Sequence, residues 1–128
     1  MSLCHPELLE RFSKLRVLVI GDAILDHYIH GEVSRTSPEA PVPVLEARRQ
    51  EYLPGGAANV VRNLAAMDAR VTFLSVCGDD AEGDRLHAIL SGDPRVRLEL
   101  VRHPGRPTTL KTRCLAQGQQ MLRVDRED

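Results

Sequence analysis

The chain has 128 residues, a formal net charge of −1, 42% hydrophobic residues, 3% aromatics and no tryptophan. That length suits one domain or a portion of a larger one, and the apolar fraction is enough for a core. Interspersed charges and scarce aromatic rings exclude a basic nucleic-acid-binding field, an anionic-membrane surface and a base-stacking platform.

Cys4, Cys77 and Cys114 are far apart, and neither Cys-x-x-Cys nor His-x-x-x-His occurs. Neither a zinc site nor a disulfide framework is therefore expected, and a reducing cytoplasm is the simplest compartment. No segment reads as a signal peptide or a membrane span; the longest aliphatic run, Val17 to Ile20, is far too short.

In chain order, Leu8, Leu9 and Phe12 predict a short amphipathic helix over residues 5–14. Arg16 to Ile20 is β-branched and nearly continuous, the pattern of a parallel strand buried on both faces, and Gly21-Asp22 stops it. Between His27 and Leu53 short extended pieces (His27 to Val33, Val42 to Ala47) flank a segment where Pro38, Pro41 and Pro43 cluster. Proline donates nothing to a sheet ladder, so these pieces read as a small projecting β layer with edge strands.

Ala57 to Met67 follows as a helix with Val60, Val61, Leu64 and Met67 inward and Asn59, Arg62 and Asn63 on the other side. Val71 to Cys77 is a second apolar strand. Ala81 to Leu90 is a helix with Leu86, Ile89 and Leu90 inward, weakened by Gly83 by about 1 kcal/mol relative to alanine. Val96 to Val101 is a third strand. Thr108 to Ala116 and Gln120 to Asp125, joined at Gln117-Gly118-Gln119, form a hairpin of the projecting layer. Strand, helix, strand, helix, strand predicts a parallel α/β core.

Two segments carry chemistry. Asp26 lies just beyond the first strand, where open α/β sheets bind ligands. Its carboxylate can accept two hydrogen bonds from neighbouring sugar hydroxyls, or it is a plain loop or capping aspartate. Gly55-Gly56 permits close backbone approach at a helix N-terminus, and Asn59 offers both donors and acceptors, as a hydroxyl requires; the alternative is an ordinary loop-to-helix turn.

Lys111 and Arg113 are two apart on a predicted strand and share a face. With Arg35 they either bind a substrate phosphate or protect sheet edges from pairing. Asp79 and Asp80 precede a helix and read as caps. The segment after the first strand lacks Gly-x-Gly-x-x-Gly, which argues against a nicotinamide-binding domain.

Gly21-x-x-x-x-Asp26, Gly55-Gly56-x-x-Asn59 and Gly78-Asp79-Asp80-x-x-Gly83 together resemble the N-terminal portion of the ribokinase-like (PfkB) carbohydrate kinases. The fit runs from Arg16 to Asp128. Ser34 to Val44, and Thr109-x-Lys111-x-Arg113 followed by Gln119-Gln120-x-x-Arg123, are similar to the members that act on a heptose 7-phosphate.

The resemblance implies a doubly wound α/β sheet with a projecting β lid, the lid segments falling at about 27–53 and 108–125. It implies ATP and Mg²⁺ for the intact enzyme, and a sugar held by Asp26, Gly55, Gly56 and Asn59. It also implies a homodimer formed through the lid. The family's catalytic base and anion hole come from a Gly-x-Gly-Asp segment, and none occurs here. No catalytic residue and no metal ligand is therefore expected in these 128 residues, and no bound ATP. The expectation is an inactive substrate-recognising portion with an exposed apolar sheet face. Another sugar or nucleoside kinase of the family, or a non-catalytic module that binds a sugar phosphate or dimerises, remain the alternatives.

Overall fold

The computed structural model describes residues 10–128. Most of the predicted first helix lies outside the described residues; Glu10 to Phe12 are helical. The chain then runs β1 (Arg16–Ile20), β2 (Ala23–Thr36), β3 (Pro43–Gly56), α1 (Ala57–Ala66), β4 (Arg70–Gly78), α2 (Ala81–Ser91), β5 (Val96–His103), β6 (Thr109–Ala116) and β7 (Gln119–Arg126).

Two sheets result. The core sheet has the order β1-β4-β5 and is all parallel. The second sheet, β3-β2-β6-β7, is mixed: β2 runs parallel to β6, while the β2–β3 and β6–β7 pairs are antiparallel. The predicted alternation of strands and helices is the core, and the predicted projecting layer is the second sheet.

Three expectations need correction. The two short pieces between His27 and Leu53 are single strands of 14 residues each, bent at irregularities between His30 and Gly31 and between Val33 and Arg35. The prolines misled: Pro38 and Pro41 sit in the connection, Pro43 opens β3, and Pro54 falls on β3, an edge strand where a missing donor costs no ladder bond.

The inward stripe of α1 is also shifted. Ala58, Val61 and Ala65 are buried, whereas Val60 and Met67 are exposed. Val61 and Leu64 of the expected stripe do face the core, Leu64 only partly buried, and Ala58 and Ala65 take the places expected for Val60 and Met67. Lastly, β1 is covered on one face only: Val17 and Val19 pack on the core while Leu18 and Ile20 are exposed.

The core is built from Phe73 and Val71 of β4, Val61 and Ala58 of α1, Leu86 and Leu90 of α2, and Leu25 of β2. Leu25 ties the second sheet to the first, because β2 leaves the core before it projects. The crossing from β1 to β2 is fixed by Ser75, whose hydroxyl donates to the Gly21 carbonyl (2.6 Å) and accepts from the Ala23 amide (3.0 Å). At the other end α1 closes through Asp68, at φ 66°, with the Ala69 amide reaching back to the Leu64 carbonyl. The β6–β7 turn has Gln117 and Gly118 at φ 51° and 81°, two positive-φ residues as in a type I′ hairpin.

Candidate functional site

Where the lid leaves the core, the sequence-predicted residues converge. Asp26 lies within β2, not beyond the end of a parallel strand as predicted, because the chain passes from β1 into β2 with only Gly21 and Asp22 between them. Its carboxylate accepts a hydrogen bond of 2.5 Å from Arg113 Nη1 on β6. The same carboxylate lies across Gly55, where a Cβ would overlap it. Gly55 is thus a glycine because Asp26 occupies the space of its side chain. Gly56 has φ 55°, and a Cβ there would press on Ile24 and the Asp22 carbonyl.

Gly56 leads directly into α1, whose N-terminus no side chain caps. The Ala57 amide is taken by the Asp22 carbonyl (3.1 Å). The next N–H groups of the first turn are the ones a helix leaves without intrahelical partners, and they favour oxygen acceptors. Asn59 stands in that first turn with an exposed side chain. Asp26, Gly55 and Arg113 are therefore in direct contact, and Asn59 follows Gly55 by one helical turn.

Two cations on β6 are held differently. Arg113 is paired with Asp26 and lies 5.2 Å over the Tyr28 ring. The Asp26 hydrogen bond outweighs partial burial and raises the guanidinium's pKa further, so it is always charged. Lys111 donates to Glu127 (3.0 Å) and Asp125 (3.1 Å). These two carboxylates push its ammonium above the usual lysine range, and the Lys111 hydrogen bond leads in holding Asp125 below the usual carboxylate range.

Lys111 and Arg113 do share a face, because Asp26 and Tyr28 of β2 are their neighbours in register. Arg35 is not brought to them. It lies nine residues beyond Asp26 on β2, roughly 30 Å at ~3.3 Å per residue, exposed and 3.8 Å from Glu46.

Asp80 is the predicted cap, and more. Its Oδ1 accepts from the Gly83 amide (2.8 Å) and the Thr108 hydroxyl (2.6 Å), and its Oδ2 from the Thr108 amide (2.8 Å). Thr108 Oγ1 in turn accepts from the Gly78 amide (2.9 Å). Arg126, on the last lid strand, bonds Glu82 (2.8 Å). Burial, the largest single influence on Asp80, pushes its pKa up. The bonds from Thr108 and Gly83 and the Arg126 charge together prevail and hold it below the usual range.

Gly83 is required by this junction, since a Cβ would meet Arg102, the Gly78 carbonyl and Thr108. Asp79 is exposed and caps nothing. Sequence reasoning missed Thr108 and Ser75, both buried. A serine inside the apolar run Val71 to Cys77 was the available signal for the latter.

Among the described residues no group of three or more His, Cys, Asp or Glu side chains could hold a metal ion. Asp80 spends both oxygens on the α2 junction. The thiol of Cys77 is buried and its pKa is raised by that burial. No helix among the described residues is long and apolar enough to cross a membrane.

Residues 14–128 match the pfkB family carbohydrate kinase profile. A "Bifunctional protein HldE" of Acidiphilium cryptum is 53% identical over 115 residues, covering 90% of this chain and 24% of the relative. A "D-beta-D-heptose 7-phosphate kinase" of Bordetella bronchiseptica is 52% identical over 118 residues, covering 92% of this chain and 37% of the relative. The chain therefore spans about a quarter to just over a third of these curated relatives.

Among solved structures, a carbohydrate kinase from Agrobacterium tumefaciens superposes with a TM-score of 0.69 at 23% identity, over 87% of this chain and 35% of that one. A fructokinase with bound ATP from Xylella fastidiosa gives 0.63 at 23% identity, over 86% and 32%. Both agree in fold with the core and lid described above. The profile match spans nearly the whole chain, and on that ground this protein belongs to the pfkB family of carbohydrate kinases.

Proposed function

We propose that this chain is the substrate-recognising portion of an ATP-dependent kinase that phosphorylates the anomeric hydroxyl of D-glycero-β-D-manno-heptose 7-phosphate, a precursor of lipopolysaccharide, in the cytoplasm. The observation that carries the reading is the contact of Asp26, Gly55 and Arg113 at the lid–core junction, in a chain about half identical to relatives named for that kinase activity.

The sugar lies against the uncapped start of α1. Asp26 accepts from its hydroxyls, and Gly55 and Gly56 let it approach the backbone. Asn59 bonds a further hydroxyl. Arg113 and Lys111 meet the 7-phosphate, Arg113 as a planar fork and Lys111 as a point charge. The present partners of both cations are carboxylates, so an incoming phosphate has to displace them, and Asp26 then trades its bond from Arg113 for bonds from the sugar hydroxyls.

Phosphoryl transfer depends on positioning and on stabilising the migrating group. The base and anion hole that a Gly-x-Gly-Asp segment supplies in the family are not in this sequence, so these 128 residues bind and do not turn over. The lid supports a homodimer. Leu122 and Val124 of β7 are exposed and share a face with Cys114 and Thr112, an apolar strip available to a second lid. Arg35, at the far end of β2, serves a sugar phosphate only across such an interface, in the second subunit's site.

Isothermal titration with heptose 7-phosphate, and with the unphosphorylated heptose, tests the reading. Saturable binding of the phosphorylated sugar, about tenfold or more weaker in Asp26→Ala and in Arg113→Ala, supports it. Equal affinity for both sugars removes the phosphate role of Lys111 and Arg113. A chain that binds neither is no substrate-recognising portion.

A further inference from the structure

The back of the lid, the face turned to α2, carries a stack of side chains behind the sugar site. Side chains alternate along a strand, so His27 and Tyr52 point away from the face of Asp26 and Leu53. His27 is the register neighbour of Tyr52 on β3 and of Thr112 on β6. The His27 and Tyr52 rings are stacked, with centroids 4.2 Å apart and planes at 4°. The Arg85 guanidinium of α2 lies 4.0 Å over the Tyr52 ring. Among the described residues no carboxylate pairs with Arg85, so its charge is left to the electron-rich face of the ring.

The imidazole is fixed at both nitrogens. Its Nε2 is 3.0 Å from Gln50 Oε1, and its Nδ1 is 3.4 Å from the Thr112 hydroxyl. A neutral ring with its proton on Nε2 donates to Gln50 and accepts from Thr112. The place of the stack along the lid matters as much. Leu25 and Leu110 of the lid strands pack on the core in one row, and Tyr52 packs on it from a row further out. Asp26 falls between these rows in sequence and points to the other face, where its carboxylate lies across Gly55.

We infer that Arg85, Tyr52 and His27 are positioning residues for the sugar site: their stack clasps the back of β2 and β3 to α2 and thereby sets the separation of Asp26 from the start of α1. The inference rests on the sugar site proposed above. That site is divided between two regions. Asp26, Lys111 and Arg113 stand on lid strands, whereas Asn59 and the free amides of α1 belong to the core. A sugar that bonds both needs them at a fixed distance. Ladder bonds hold the lid strands to one another but not to α1. From α2, Glu82 reaches Arg126 on the lid edge β7 (2.8 Å), and Arg85 reaches Tyr52 on the other edge, β3. The second tie alone stands directly behind Asp26, because His27 of the stack is its chain neighbour.

Four single variants of the 128-residue chain separate the clasp from simple packing. Arg85→Lys keeps a cation over the ring, and Arg85→Leu keeps only apolar cover. Tyr52→Phe keeps the ring, and Tyr52→Leu removes it. Two quantities are measured, with circular dichroism confirming that each variant is folded. One is the affinity for heptose 7-phosphate by isothermal titration. The other is amide hydrogen exchange by mass spectrometry in the β2 and β3 peptides around Asp26 and Leu53, which requires no sugar.

Arg85→Leu and Tyr52→Leu should each weaken sugar binding about three- to fivefold, less than the loss expected for Asp26→Ala. Exchange should quicken in the β2 and β3 peptides and stay unchanged in β4 and α1. Arg85→Lys and Tyr52→Phe should remain within about twofold of the unaltered chain. The double variant Arg85→Leu, Tyr52→Leu should bind no more weakly than either single one, as for a coupled pair. A leucine at position 85 that performs as well as lysine makes the residue apolar cover and overturns the proposal. So does exchange that quickens evenly along the chain, or quicker lid exchange at unchanged affinity. If the unaltered chain binds no sugar, the substrate reading fails and exchange decides the clasp. Local quickening in Arg85→Leu that Arg85→Lys does not show then upholds it, and no change in exchange overturns it.

Discussion

The core sheet and the lid sheet are built on opposite economies. In the core, β4 carries the fully buried Phe73 and Val71, and the helices close one side with Val61, Leu86 and Leu90. In the lid, β7 has every residue exposed and β6 is mostly half-buried. Cohesion there comes from ladders, from the ion pairs of Arg113 with Asp26 and of Lys111 with Asp125 and Glu127, and from the hydrogen bond between His30 and Glu51. Burial is worth about 25 cal/mol per Å², whereas exposed ion pairs contribute about 0–1 kcal/mol. The core should therefore set the global stability, while the lid, cheap to distort, is the part able to rearrange around a ligand.

The sharpest break of that contrast is Phe73→Ala. The side chain is fully buried between the sheet and the helices, so the loss combines transfer and cavity terms of about 3–5 kcal/mol. Urea denaturation should show the whole transition moved down, lid and core together. A loss below about 1 kcal/mol would mean that Phe73 is not the centre of the core.

Next in size is Asp80→Asn, at the joint between the two regions. Asp80 bonds Gly83 of α2 and both the amide and hydroxyl of Thr108, where the lid resumes. An amide keeps one acceptor oxygen but turns donors toward donors, for a loss of about 2 kcal/mol at neutral pH. The sign with pH follows from the lowered pKa of Asp80. The folded state binds the proton less readily than the unfolded chain, so its contribution is complete above the unfolded value and is lost as pH falls through the folded one. Midpoints measured from pH 7 down to pH 2 should thus converge for the two proteins. A gap that stays constant over that range would assign the loss to packing instead of charge.

Periodicity carried the core's order because each of its elements faces a single environment. Val71 to Cys77 alternates between helices and open face, but both sides are apolar. A continuous run therefore reads as a strand and says nothing of which side is covered. For the same reason β1 reads as buried on both faces.

The lid strands were harder. Their 14-residue length is broken in sequence by Gly31, Ser34 and a cluster of prolines, yet a long ladder with two irregularities absorbs them at a sheet edge. At the site, Gly55-Gly56 before a helix was legible as a place of close backbone approach. What occupies Gly55's space was not legible, because Asp26 lies 29 positions earlier and its contact is made by sheet pairing alone. Arg113 and Lys111 were placed on one face by spacing, but their partners Asp26, Asp125 and Glu127 come from neighbouring strands.

The smallest effects sharpen the contrast within the lid itself. Arg113 and Asp26 are both mostly screened from water, with side chains 21% and 17% exposed. Arg113→Ala leaves a half-buried carboxylate unpaired against Gly55 and should cost about 1–2 kcal/mol. Lys111, on the inner strand β6, is as screened as Arg113 at 19% exposed, but its partners come from the edge strand β7 and the residue after it, and Glu127 is 54% exposed, so water and salt replace a lost partner there. Lys111→Ala should leave the urea midpoint unchanged in moderate salt.

The two substitutions remove the same formal charge from one face of one strand, so long-range electrostatics cannot separate them. Only the local partner differs. If both variants shift the midpoint equally, the lid is held by its net field and the Asp26–Arg113 contact has no special standing. If Arg113→Ala alone is destabilising, and Asp26→Asn with Arg113→Ala recovers most of the loss, the pair is a coupled unit. The lid is then fastened to the core at the point where Asp26 covers Gly55.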